Sequence, residues 1–198
     1  MQKQKSPRHH RRPSLRYLGW FFAFLLFAAH AYAQDWPDKI NGYKVYDPKI
    51  SITASDLSAN SEDHDAQIKL SVPTLVDLRL SGAIIEIGVS VLSEKQSGKV
   101  ELVTFKDIFV NGFRVDVEDY KHAFSFKKGE TAVLPKPARI TLKTSSLPRA
   151  AYNELTNSKT ELAVTGTAFV FGKFKKMGFS FKRVVPVKID LRVKNPLR

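Results

Sequence analysis

Apolar and polar residues alternate with a period of two along most of this chain, most regularly between positions 161 and 194. In the second half of that stretch Phe179, Phe181, Val185, Val187, Ile189, Leu191 and Val193 share one parity. Ser180, Lys182, Lys188, Asp190, Arg192 and Lys194 hold the other. Successive strand side chains point to opposite faces, so this pattern predicts one buried face and one wet, mostly basic face. The run 162–171 predicts the outgoing arm, with Leu162, Val164, Ala168 and Val170 on one side. Thr165, Thr167, Phe169 and Phe171 fill the other, so neither face is fully polar. Gly172 and Gly178 bracket Lys173, Phe174, Lys175, Lys176 and Met177, which reads as a lysine-loaded turn. A ribbon of this kind cannot bury its apolar face alone and needs a second sheet over it. Arg183 is the one charge on the apolar parity of the return arm. It needs either a partner in the core or a bulge between Lys182 and Val184 that turns it outward.

The same alternation recurs upstream. Ile50, Ile52 and Ala54 share a face, then Ala66, Ile68, Leu70 and Val72, then Val76, Leu78 and Leu80, then Ile85, Ile87, Val89 and Val91. The segment 93–99 reads as a turn and 100–110 as a further strand. Asn111-Gly112, between Phe109-Val110 and Phe113-Arg114-Val115, is a strong hairpin signal, because both turn residues tolerate positive φ. A short strand at 123–126 precedes a turn at Lys127, Lys128, Gly129 and Glu130. The strand 139–144 follows Pro135 and Pro137 and belongs at a sheet edge or a crossover. Ser146, Pro148 and the spacing of Leu147, Ala151 and Leu155 predict one short α-helix near 147–156. Short strands, frequent turns and one helix give the expected fold: all-β, an antiparallel β-sandwich of fibronectin or immunoglobulin type with about seven to nine strands.

The N-terminus changes the picture. Residues 1–17 hold six basic residues and no acid, 18–29 are apolar, and Ala31, Tyr32 and Ala33 form a small-residue end. This is the outline of a secretory signal peptide cleaved after Ala33. The alternative is an uncleaved membrane anchor, but spanning a bilayer takes about 20 apolar residues and this run has 12. The expected organisation is a signal peptide at 1–33, a tether at 34–48 with Trp36-Pro37 as a docking point, one sandwich at 49–194 and a tail at 195–198. The destination is the periplasm or the exterior. Beyond position 33 the chain keeps 26 of its 32 basic residues and all 19 acids, a balance of +7. That charge favours anionic partners, and export makes lipid head groups or envelope polymers better candidates than nucleic acid.

There is no cysteine, which excludes disulfides, thiolate metal sites and a thiol nucleophile. No nucleotide-binding, zinc-protease or nucleophile-elbow motif occurs. Glu62, Asp63, His64 and Asp65 lack the spacing and glycine of a calcium loop and read as a solvated acidic loop. Glu118, Asp119 and His122 have no nucleophile beside them. The expectation is therefore no catalytic residue, no metal and no cofactor. The candidate binding residues are Lys173, Phe174, Lys175, Lys176, Met177 and Lys182, cations beside apolar groups suited to an anionic lipid surface. A hairpin tip kept soluble by lysines is the plainer reading.

Several of these features fall in the order of a known family. A strand ending at Val110-Asn111-Gly112 is followed by a glycine turn at Lys128-Gly129-Glu130 and a strand at Ile140-Thr141-Leu142. Then come the 147–156 helix and a closing hairpin that opens on Val164-Thr165-Gly166. In this the chain resembles the group-2 late embryogenesis abundant family, also called the water-stress and hypersensitive-response domain, over 48–191. It departs from the family in carrying Ser93, Glu94, Lys95 and Gln96 where an Asn-Pro pair usually follows the second strand. The resemblance implies a folded, non-enzymatic sandwich connected with stress protection or with lipid and membrane surfaces. The expected function is thus an exported protective or binding module of the cell envelope, acting on client proteins. The other reading is a binder of lipid or anionic envelope surfaces through the basic hairpin. The interior separates the two: a filled core favours protection, and an apolar groove between the sheets favours a lipid ligand.

Overall fold

A computed structural model of the chain describes residues 36–54, 64–79, 81–143, 160–176 and 178–196. Residues from Pro37 onward form one compact unit. The described residues are all-β, and alternation explains most of the strands. In chain order these are β1 (Lys39–Ile40), β2 (Tyr43–Val45), β3 (Ile50–Ala54), β4 (Ala66–Leu70), β5 (Thr74–Arg79) and β6 (Gly82–Ile87). Then follow β7 (Val89–Ser93), β8 (Ser97–Val110), β9 (Phe113–Arg114), β10 (Asp116–Val117), β11 (Phe124–Phe126) and β12 (Thr131–Val133). The last three are β13 (Ala138–Lys143), β14 (Glu161–Lys176) and β15 (Phe179–Lys194). The expected signal peptide at 1–33 and the expected helix near 147–156 fall outside the described residues. Among those residues no helix is long and apolar enough to cross a membrane.

Fifteen segments exceed the expected strand count because long strands are broken. β6 and β7 keep one parity through Gly88, but the ladder changes partner there. The Gly88 amide donates to Ser71 Oγ at 2.8 Å, and its carbonyl accepts the Ser71 amide at 2.8 Å. One part of the broken strands forms a sheet in the order β12-β7-β4-β3 and the other a sheet in the order β10-β13-β6-β5. The third sheet runs β1-β2-β15-β14-β8-β11, with β9 on β8. β14 and β15 are 16 residues each, paired without interruption from Glu161↔Lys194 to Lys176↔Phe179. At that length the hairpin reaches over both shorter sheets, and the architecture is sandwich-like. One end buries Ala83, Ile85, Leu142, Leu162, Val164 and Val193 against the β10-β13-β6-β5 sheet. The other buries Val100, Phe126, Ala168, Phe174, Val185 and Val187, with Ile50, Ile52 and Ile68 of the second short sheet packed onto them.

Four expectations need correction. The segment 34–48 is not a tether throughout: Asn41 and Gly42, at φ 50° and 80°, turn β1 into β2, and β2 adds to β15 in parallel. The stretch 172–178 is not a seven-residue turn, because β14 runs on to Lys176 and only 177–178 join the strands. The segment 93–99 is shorter as a turn, since Ser97 and Gly98 already belong to β8. On β5 it is Leu75 that packs into the core, while Val76 and Leu78 are 51% and 56% exposed. A register shift between Leu75 and Asp77 and the edge position of the strand account for that.

The Asn111-Gly112 turn forms as expected, with φ of 49° and 81° and Val110 paired to Phe113. Asn111 also locks this corner to the long hairpin. Its amide donates to the Ala163 carbonyl and its Oδ1 accepts the Ala163 amide, both at 2.8 Å. The strand at 139–143 is close to an edge, flanked on its outer side only by the two-residue β10. β15 carries no bulge, and Arg183 keeps its inward parity. It is half-buried, its guanidinium 4.9 Å from the Tyr46 ring and 5.3 Å from the Phe181 ring. Aromatic faces, rather than a carboxylate, are what it rests on.

Candidate functional site

The six residues expected at the hairpin tip divide between two faces. Even positions of β14 face the interior, so Phe174 continues the line of Ala168 and Val170 and is only 5% exposed, its ring 6.0 Å from that of Phe126. It is a core residue and offers no apolar surface to a membrane. Lys173, Lys175 and Lys182 are exposed on the opposite face. The backbone of Lys176 pairs with Phe179, and Met177 lies outside the described residues. The exposed apolar surface at this end comes from residues expected inside: Phe179 is 70% exposed and Phe181 41%, on the Phe174 side of the ribbon and not on the side of these lysines.

Lys173 is tied down. Tyr43 Oη donates to Glu101 Oε2 at 2.8 Å, and Lys173 Nζ lies 3.5 Å from Glu101 Oε1. The Tyr43 hydrogen bond holds the Glu101 carboxyl below its usual range, with Lys173 assisting and burial opposing. The same bond pushes the Tyr43 hydroxyl up. Glu101, with a folded pKa below its unfolded one, contributes stability that is full above the ordinary carboxylate range and is lost as pH falls through the folded value. Tyr43, with a raised pKa, contributes stability that is full below the ordinary tyrosine range and is lost as pH rises through the folded value. Glu101→Gln is therefore expected to lower stability at neutral pH and to match the wild type in strong acid. Urea titrations across pH check this, and a constant gap down to the lowest pH would contradict it.

The larger feature is interior. A cavity of about 200 Å³ lies between the long sheet and both shorter ones, and its lining is almost wholly apolar. Ile50, Ile68 and Val91 come from one short sheet, Ile87 and Ile140 from the other, and Val103, Phe105, Ala168 and Val187 from the long one. Val164 and Phe174 both border it on β14. Ten strand positions separate them, so the cavity is drawn out over on the order of 30 Å. A modest volume stretched over that length is narrow.

Polar groups border the cavity at few points. Tyr120 Oη accepts the Lys136 amide at 3.1 Å, and the Tyr120 ring meets that of His122 edge-on at 5.5 Å. Asp65 and Ser93 border the cavity where β4 begins and β7 ends, and Gln96 borders it too. Asp65 is engaged twice, by Lys95 Nζ at 2.7 Å and by the Lys49 amide at 3.0 Å. The Lys95 hydrogen bond holds its carboxyl below the usual range against the effect of burial. Ser93 Oγ bonds to no protein group among the described residues, although the residue is 2% exposed. Among the same residues no three His, Asp or Glu groups come together as a metal site.

The sequence reading missed this cavity because a strand pattern shows which side chains face inward and not whether they meet. It missed Ser93 for a different reason. Ser93 has the parity of Val89 and Val91, but the polar run that follows it reads as the start of a turn.

No family model matches the chain, and no curated protein matches it. Among solved structures it is similar to a protein from Archaeoglobus fulgidus known by its crystal structure. The identity is 15%, the match covers 64% of this chain and 95% of that one, and the TM-score is 0.36.

Proposed function

We propose that this protein is a non-enzymatic binder of a single apolar chain, such as that of a single-chain lipid, held between its sheets. The observation that carries the reading is the narrow apolar cavity of about 200 Å³. Engineered cavities of about 150 Å³ lined by Leu, Ile and Phe stay dry and take up benzene. An interior of this size, drawn out along the strands, suits one chain and excludes a two-chain phospholipid or a fused ring system. The signal-like N-terminus supports an exported protein of the cell envelope, where such chains are abundant. The proposal keeps the resemblance to the group-2 late embryogenesis abundant family and favours its lipid side over client protection, since the interior is not filled. It also keeps the fibronectin or immunoglobulin type for the sandwich, supported by the antiparallel pairing that dominates each sheet. The parallel pairs β2–β15 and β3–β4 depart from a purely antiparallel scheme.

A second reading rests on its own observation. Phe179 is exposed on one face of the hairpin end and Lys175 and Lys182 on the other, so the end as a whole offers an aromatic ring and cations to an anionic lipid surface. This is where a chain would be collected or delivered.

Thermal unfolding with straight-chain alcohols of increasing length tests the main reading. A chain present at about 100 times its Kd stabilises by about 2.7 kcal/mol, which is about 5–10 °C in a domain of this size. The gain is expected to rise with length and then level off as the cavity fills. No shift with any length would remove the proposal.

A further inference from the structure

We infer that Ser93 is the polar anchor of the cavity, recognising an uncharged hydrogen-bonding head group such as an alcohol or ester on the bound chain. The inference rests on the reading that the cavity takes a chain, and it adds which end of the chain goes where. Three observations carry it. Ser93 is almost completely buried and its Oγ bonds to no protein group, although buried hydroxyls are nearly always bonded. It borders the cavity on the same strand face as Val89 and Val91. Its backbone is fixed on both sides, paired to Ala66 in β4 and accepting the Gly129 amide at 2.8 Å, so the side chain is held in place.

The surroundings narrow the chemistry. A hydroxyl both donates and accepts, so it serves a carbonyl or another hydroxyl equally. The neighbouring Asp65 is already engaged by Lys95 and by the Lys49 amide, and its negative charge opposes a second carboxylate nearby. A charged head buried against one hydroxyl would also lose its hydration without adequate replacement. A neutral head therefore fits, with the chain running from Ser93 along the strands toward Ile140 and Val164.

The test uses octanol and octane, both delivered to the folded protein through the vapour phase, with uptake measured by headspace chromatography. Ser93→Ala is expected to weaken octanol binding about tenfold, the worth of one good hydrogen bond, and to leave octane binding unchanged. The ligand-free variant is expected to melt no lower than the wild type, because the change removes an unbonded buried hydroxyl. If Ser93→Ala alters neither ligand, or weakens both equally, Ser93 is no anchor and the inference falls while the cavity reading stands. If the wild type takes up neither molecule, the cavity reading itself falls.

Discussion

Gly172→Ala is expected to lower the melting temperature by about 6–12 °C. A Cβ at this position would run into the Lys99 carbonyl oxygen and would sit 3.1 Å from the Val100 Cα. Neither atom belongs to a side chain that can swing away. β14 lies between β15 and β8, so it cannot shift outward without breaking one ladder or the other. The register of β14 against β8 already shifts between Phe171 and Gly172. Forcing a methyl group into such a place costs about 3 kcal/mol, the upper end of the usual overpacking range. In a domain of this size each kcal/mol moves the midpoint by about 2–4 °C. Circular dichroism melts of the two proteins decide it, and midpoints within about 2 °C of each other would mean that the strands separate more easily than the structure implies. The glycine looks like a turn residue in the sequence, and it is a spacing residue between paired strands.

Ala168→Phe is expected to act in the opposite direction on stability and to abolish chain binding. Ala168 is buried near the middle of β14 and faces the cavity, with Val187 directly across the hairpin. Unfilled space in a core costs about 24 cal/mol per Å³, so about 200 Å³ of it corresponds to about 5 kcal/mol. A ring at 168 fills a part of that space, and a gain of about 1–2 kcal/mol is expected. The same ring divides the cavity in two, so straight-chain alcohols should no longer raise the melting temperature. A loss of stability would mean that the cavity is too narrow at this point for a ring. Stabilisation with undiminished binding would place the ligand elsewhere on the protein.

Much of this fold is written in the parity of its strands. The long hairpin, the inward line of Ile85, Ile87, Val89 and Val91, and the turn at Asn111-Gly112 are all legible, because each depends on nearest neighbours along the chain. Phe174 was legible too, had the even parity of Leu162, Val164, Ala168 and Val170 been followed through Gly172. The flanking lysines hide it by making the segment look solvated. Asn41-Gly42 carries the same local signal as Asn111-Gly112, but Pro37 and the polar composition around it suggest a linker. The exposure of Val76 and Leu78 is of another kind. It follows from a register shift on an edge strand, and a register belongs to two strands at once. The cavity is the least legible feature, since it depends on the spacing of whole sheets and on volumes that no single position records.

The long hairpin underlies both short sheets, whereas each short sheet touches the rest of the sandwich over one half only. Local opening therefore has a built-in hierarchy. Amide hydrogens in β14, which is paired on both sides, are expected to exchange only when the whole domain opens. Those in β3–β4 or β5–β6 are released when one short sheet lifts by itself, because the change of partner at Gly88 stops the disturbance from passing to the other. On the proposed function, a chain would reach the interior through a partial, reversible opening of one half, while the hairpin and the other half keep the domain folded.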